Sequence, residues 1–480
     1  MLKPILTFII LILLFQVSAQ TKEPAPLKVV PSEKQLAWHE METYAFIHFT
    51  TNTFTDKEWG YGDESEQVFN PTAFDAEQWA KTIKDAGFKA IILTCKHHDG
   101  FCLWPSAYTE HSVKNSPFKN GQGDVVKEVS DACRKYGLKF GVYLSPWDRN
   151  HAGYGTSEYI EYYRNQLKEL FTAYGPVFEM WFDGANGGDG YYGGKREKRQ
   201  INGSTYYEWP VTLDLVRNME PNVIFFSDAG PDIRWVGNER GVAGETNWCT
   251  ISNDTLFAGK SGIEKLLNGG DENGTKWIPA EVDVSIRPGW FYHASEDKKV
   301  KTPEQLFDIY LTSVGRGSNL LLNIPPDRRG LLNEIDVQSL MGFKKLLDET
   351  FSKNLALNAR ISASSFRGED PKFDGKNCVD GNKDTYWATN DDVLAANLEI
   401  DLPKNSEVQY VVIQEYIKLG QRVSDFSVEV LKNKNWKTVY RGTTIGYKRI
   451  IKIGGIKSDK IRINFLDGKA CPVISNVEVY

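Results

Sequence analysis

The sequence predicts an α/β chain: a (β/α)8-like barrel followed by an all-β sandwich. Three observations carry that prediction. Strand-length apolar runs alternate with helical patterns from about Tyr44 to Glu349. These runs are nearly continuous in Val, Ile, Leu and Phe, as suits parallel strands buried on both faces. Past Ser352 the helical patterns stop, and short alternating strands separated by turn residues take over. A chain of 480 residues is long enough for two such domains, each with its own core.

The elements follow in order. "AFIHFT" is the first strand run and ends near Thr50. "FDAEQWAKTIKDAGF" sets Phe74, Trp79 and Ile83 near one helical face. Next come "KAIILTCKHH", a helix over Val125 to Tyr136, "LKFGVYLS", and a helix over Ser157 to Ala173. "VFEMWFD" precedes a helix over Tyr206 to Met219, and "NVIFFSD" follows it. "WIPAEVDVSI" and "NLLLNIP" are the last two strands, with a helix around Pro303 to Val314 between them. Roughly 300 residues in this alternation fit one closed barrel better than an open sheet. The open alternative also lacks a glycine-rich phosphate loop after the first strand. No repeat of solenoid period is present. Beyond Ser352, "NLEIDL", "QYVVIQEY", "FSVEVLK", "KIRINFL" and "VISNVEVY" read as sandwich strands, in a module of ordinary size.

The first residues, "MLKPILTFIILILLFQVSAQ", combine Lys3, an apolar run from Ile5 to Phe15 and the small-residue site Val17-Ser18-Ala19. That is a signal peptide over residues 1–19, so the protein is expected to be exported, to a periplasm or outside the cell. The barrel domain is then 20–351 and the sandwich 352–480. The leader's apolar run is too short for an ordinary spanning helix, no later segment is long and apolar enough, and no membrane insertion is expected. A formal charge of −6 gives no support for nucleic-acid or membrane-surface binding. The six cysteines include no CxxC pair, which disfavours a structural zinc or redox motif; they read mostly as small buried apolar residues.

In a (β/α) barrel the reactive groups stand where strands end, among the βα loops. The strand ends here carry His48; His97, His98 and Asp99; Tyr143, Ser145 and Trp147; Trp181 and Asp183; Asp228, with Arg234 and Glu239 in the loop after it; Glu281, Asp283, Arg287 and Trp290; and Asn323. One such residue means little, but a ring of them describes a polar cavity. Asp183 in "MWFDGANG" is a strand-tip carboxylate followed by Gly184, where a side chain would crowd a ligand or strain the turn. The plain alternative is an Asp capping its own turn. A second acid, Glu239, in the next loop weighs against that alternative, because glycoside hydrolysis takes two carboxyl groups in different protonation states. The His97-His98 pair has neither HxH nor HExxH spacing, and hydrogen bonding to hydroxyls suits it as well as metal binding does. Adjacent strand residues point oppositely, so both can face inward only if the strand has already ended.

"FIHF", "KHHDGFCLW", "GVYLSPWDRN", "MWFDGANG", "SDAGPDIRWVGNE", "RPGWFYH" and "GSNLLLNIPPDRRG" together resemble glycoside hydrolase family 29, the α-L-fucosidases, and within it the subgroup restricted to α-1,3 and α-1,4 linkages. "NLALNARISASS", "CVDGNKDTYWAT" and "GTTIGYKR" resemble discoidin-like (factor 5/8 type C) jelly-roll modules, a clan that includes carbohydrate-binding modules. The resemblance implies a retaining double displacement on a fucosylated glycan, with Asp183 as nucleophile and Glu239 as acid/base. Glu245 in "AGETNW" is a rival for the second role. It implies fucose binding by His48, Glu58, Trp59, His97, His98, Tyr143, Trp181, Arg234 and Trp290, with Trp290 or Trp181 covering the deoxy-sugar's methyl group. No metal or organic cofactor is implied for the chemistry. Asp380, Asn382 and Asp384 could hold a structural Ca²⁺ in the C-terminal module or form a tight Asx turn. The basic stretch "GGDGYYGGKREKRQING" after Asp183 departs from the family pattern. Two other functional classes stay open at this point: a non-catalytic fucose lectin, and a metal-assisted hydrolase using His97, His98 and Asp183.

Overall fold

The structure is a computed structural model and describes residues 21–480; the signal peptide read at 1–19 lies outside the described residues. Eight parallel strands close into a barrel: β1 (Thr43–Ile47), β2 (Ala90–Lys96), β3 (Lys139–Leu144), β4 (Glu179–Trp181), β5 (Ile224–Ser227), β6 (Ile233–Trp235), β7 (Ala280–Ser285) and β8 (Asn319–Asn323). Each strand pairs with its neighbours in sequence, and β1 closes on β8 with Ala45 opposite Leu322. Alternate residues face inward and outward, as the pleat requires. Tyr44, Phe46, Ala90, Ile92, Tyr143, Trp181, Ile224, Phe226, Ile233 and Leu321 fill the barrel interior. Their neighbours Ala45, Ile91, Leu93, Val142, Met180, Phe225, Val282 and Leu322 pack outward into the larger core. Each fully buried aliphatic or aromatic side chain contributes about 1.5–3 kcal/mol, so the near-continuous apolar runs stabilise both layers at once.

The flanking helices start where the chain supplies caps. Ala76–Asp85 begins at Asp75, whose carboxylate accepts from the Glu77 and Gln78 amides. Val125–Tyr136 is capped by Asp124 and ends on Gly137 in the left-handed conformation. Pro303–Thr312 opens on a Thr302/Gln305 capping box. The sixth strand is where the sequence reading falls short. It named seven strands, because β6 is three residues long and follows β5 with no helix between. Trp209–Met219 starts three residues later than the pattern suggested, behind a turn at Asn202–Glu208.

After the helix Glu334–Thr350 the chain enters a seven-stranded antiparallel sheet. Its two long strands, Ala396–Glu415 and Arg449–Gly468, pair along their length with register breaks after Asp401 and Val408. They enclose a separate core that includes Trp387, Leu398, Val428, Ile463 and Val477. Residues 22–27, which the sequence places with the barrel, run instead along this domain. The Leu27 amide donates to the Leu419 carbonyl at 3.0 Å, and Arg422 donates to the Ala25 carbonyl. All six cysteines are buried and free. The oxygens of the Asp380–Asp384 turn are taken up locally. Asp380 accepts from the Asn382 amide and the Thr385 hydroxyl, Asn382 accepts from the Asp384 amide, and Lys418 pairs with Asp384 at 2.9 Å. That is Asx-turn geometry. No helix among the described residues is long and apolar enough to cross a membrane.

Candidate active site

A cavity of about 240 Å³ opens at the carboxyl ends of the barrel strands. It is lined by Phe46, His48, Trp59, His97, His98, Trp181, Asp183, Gly184, Ala185, Asp228, Trp235, Glu239, Asp283 and Trp290. This is below the roughly 300–1,000 Å³ of pockets for drug-sized ligands and suits one sugar ring. β2 ends at Lys96, so His97 and His98 lie beyond the strand and both reach the cavity.

Hydrogen bonding fixes what the imidazoles present. Asn323 donates through its amide nitrogen to the Ser285 hydroxyl (2.9 Å) and the Trp290 carbonyl (2.8 Å), leaving its oxygen to accept from His48 Nδ1 at 2.8 Å. The Ser145 hydroxyl donates to the Trp147 carbonyl at 2.6 Å, so it accepts from His98 Nδ1 at 2.7 Å. Each ring therefore carries its proton on Nδ1 and turns a lone pair on Nε2 towards the cavity. Burial pushes His48 down to about 3 and His98 down to about 4, keeping both neutral in ordinary buffers. His97 is held well below its usual range by the same burial, and its Nδ1 has no partner among the described residues.

Asp183 stands just past β4. Its Oδ1 accepts from the Ala185 amide at 2.7 Å and its Oδ2 from the Tyr143 hydroxyl at 2.9 Å, while His98 Nε2 lies 3.9 Å away. The phenol of Tyr143 is fully buried, and burial beside Asp183 raises it well above its usual value, so it remains a donor. Gly184 is required by a neighbour rather than by its own dihedrals. A Cβ there would run into the Asp228 carboxyl group. Asp228 is pushed up to about 6, first by burial and further by the Asp183 charge.

Glu239 faces this group from the loop after β6. Burial raises its carboxyl above the usual carboxylate range, with the Asp183 and Glu58 charges adding to the shift and a 3.2 Å bond from Trp290 Nε1 opposing it. The rival Glu245 does not line the cavity. Its side chain is 69 % exposed and pairs with Arg316 and Arg449 at the junction of the two domains.

Three residues expected to touch the sugar do not line the cavity, and one of them is Tyr143, which is fully buried and spends its hydroxyl on Asp183. Glu58 accepts from the Trp290 amide (2.8 Å), the Phe291 amide (3.1 Å) and His293 Nε2 (2.7 Å), so it shapes the loop that carries Trp290. Arg234 is the larger correction. It is the middle residue of β6, and the pleat turns it outward while Ile233 and Trp235 turn inward. Its guanidinium is fully buried and donates to the carbonyls of Leu267, Ile278 and Trp248 and to Asn247 Oδ1. Placing Arg234 in a loop hid this alternation. A strand reading of "IRW" would have exchanged Arg234 for Trp235, which lines the cavity and donates from Nε1 to Asp283 Oδ1 at 2.8 Å. Phe46, an inward position of β1, was also missed, whereas Asp283, one of the strand-end ring, lines the cavity as expected. Trp59, 54 % exposed, sits edge-on to His98 and Trp147 at the rim.

The arrangement is a small hollow with two carboxyl groups in unlike surroundings, imidazoles that present lone pairs, and an indole-rich wall. A family model described as alpha-L-fucosidase matches residues 25–350, more than half of the chain. The chain belongs to the α-L-fucosidase family. A second model, described as a NedA-like, galactose-binding domain, matches residues 377–463. Alpha-L-fucosidase 1 of Arabidopsis thaliana is 41 % identical over 462 residues, covering 95 % of this chain and 88 % of that one. A glycoside hydrolase 29 family member from an unknown rumen bacterium superposes with a TM-score of 0.85 at 45 % identity, covering 95 % of this chain and 78 % of the other. The Ruminococcus gnavus family 29 fucosidase, solved in complex with fucose, superposes at 0.87 with 34 % identity over 96 % and 97 % of the two chains. As a member of the α-L-fucosidases this protein is a glycoside hydrolase.

Proposed function

We propose that this α-L-fucosidase is an exported, retaining exo-enzyme that removes terminal α-1,3- or α-1,4-linked L-fucose from oligosaccharides or glycoconjugates. The observation that carries the reading is one monosaccharide-sized cavity holding both Asp183 and Glu239 in contrasting surroundings. Asp183, oriented by Tyr143 and the Ala185 amide, attacks the anomeric carbon as the carboxylate. Glu239, whose carboxyl is raised above the usual carboxylate range, delivers its proton to the departing oxygen and then takes one from the incoming water. Sugar hydroxyls donate to Nε2 of His48 and His98, and His97 offers a further contact. The Phe46, Trp181, Trp235 and Trp290 rings meet the methyl group, an apolar feature a hydroxymethyl sugar lacks. Neither a metal nor an organic cofactor takes part in these steps. Linkage preference rests on the motif resemblance, and export rests on the leader read at residues 1–19.

Replacing Asp183 by glycine tests the nucleophile: turnover of an aryl α-L-fucoside falls by several orders of magnitude, and full retained turnover overturns the assignment. Retention is read separately by NMR of the first-formed anomer. Azide rescue is expected for Glu239→Ala and not for Glu245→Ala. Linkage preference is read by comparing α-1,2- with α-1,3/1,4-fucosylated trisaccharides, and export by N-terminal sequencing of the mature protein from its native source.

A further inference from the structure

The segment that carries Glu239 is unusual for a barrel connection. From the end of β6 at Trp235 to the start of β7 at Ala280, the described structure supplies only the short helix Glu264–Gly269 and a two-stranded ladder of Thr250–Ile251 with Lys276–Trp277. A connection that long and irregular needs fixing from outside. The neck of the Glu239 turn is held by Asn268, whose amide nitrogen donates to the Val236 and Val242 carbonyls, both at 3.1 Å. The far side of the turn is held by the other domain. Gln421 is buried and bonds the chain twice, accepting from the Cys249 amide (2.7 Å) and donating to the Asn247 carbonyl (3.0 Å). The Thr444 hydroxyl accepts from the Asn247 amide at 3.0 Å, and Arg449 donates to the Glu245 carbonyl at 2.8 Å. Asn247 ties these contacts back to the barrel, since its Oδ1 accepts from Arg234 on β6 and its Nδ2 donates to the Arg316 carbonyl and Ser318 hydroxyl. An apolar seam of Cys249, Trp277, Ile417 and Tyr447 closes the junction.

We propose that the C-terminal module braces the acid-bearing loop, with Gln421 and Thr444 as positioning residues that hold Glu239 over the leaving group. This rests on the reading of Glu239 as acid/base. Every polar group of the Asn247 backbone and side chain is spent on this clamp, so loss of one partner leaves a buried donor or acceptor unpaired and frees the loop segment that leads back to Glu239. Misplacement of a catalytic group by about 1 Å costs on the order of 10²-fold in rate.

The test compares kcat/KM, which reports the first chemical step, on two fucosides. The 4-methoxyphenyl fucoside needs acid assistance, and the 2,4-dinitrophenyl fucoside leaves without it. Thr444→Val and Gln421→Leu, assayed well below their own melting temperatures, are expected to lose about ten-fold or more on the first substrate and to stay near wild type on the second. Thr444→Ser, which keeps the hydroxyl, is expected to restore the first. Equal losses on both substrates, or no loss on either, overturn the brace. Glu239→Gln is measured alongside: if it shows the leaving-group dependence and the module variants do not, the brace alone falls, and if it shows none, the acid assignment falls and the brace with it.

Discussion

Trp290→Phe reports on the acid directly. The indole Nε1 donates to Glu239 Oε2 at 3.2 Å, at the long end of the usual N–H···O range. That bond favours the ionised carboxylate, and it opposes the upward shift caused by burial and by the Asp183 and Glu58 charges. Phenylalanine keeps a ring beside Phe46 and His48 and removes only the donor. Hydrogen bonds to charged groups are worth about 1.5–3 kcal/mol when well buried. With a long bond at a partly exposed site, solvent discounts this to about 1 kcal/mol. The sign follows from the role. Losing the bond raises the Glu239 pKa, the first step needs Glu239 protonated, and so the alkaline limb of kcat/KM moves up. The assay is a pH profile on an unactivated aryl fucoside. An alkaline limb that stays put or moves down refutes Glu239 as the acid governed by Trp290.

Arg234→Met is expected to lower stability by about 3 kcal/mol or more, because buried carbonyls of Leu267, Ile278 and Trp248 lose their donor, while competitive inhibition by free fucose changes little. Denaturant midpoints and Ki check it, and a large Ki rise at unchanged stability would return the arginine to the sugar site. His39 is fully buried against Tyr447 and pushed down to about 3 by that burial. Its neutral form supports the fold above the unfolded value near 6.5, and that contribution is lost as pH falls towards 3, amounting to ~2–3 kcal/mol by pH 4.5. His39→Phe should therefore lose that much less stability than wild type between pH 7 and pH 4.5, read from denaturation curves at the two pH values.

The barrel was legible because its strands are buried on both faces and leave an unbroken apolar signature, as in "AIILTC" and "NLLLN". The helices over 125–136 and 157–173 were legible from their helical patterns. β6 was not, since three residues carry no countable periodicity. The site reading followed the same divide. Residues at the tips of recognisable strands, His48, His97, His98 and Asp183, were found and share the cavity, whereas Trp235 was hidden by the missing strand and Arg234 was misplaced by it.

By itself the sequence determined the two-domain plan, the ring of strand-end polar groups and the Asp183-to-glycine step, because hydrophobic periodicity and turn chemistry are local properties that side chains write into the chain. Tertiary structure alone decided which way each group faces. It turned Arg234 away from the sugar, made Asp228 the reason for Gly184, sent Glu245 to the domain junction and clasped the Glu239 loop onto Gln421 and Thr444. Those outcomes depend on partners up to roughly two hundred residues apart, and no local pattern encodes a contact that exists only once both halves are folded.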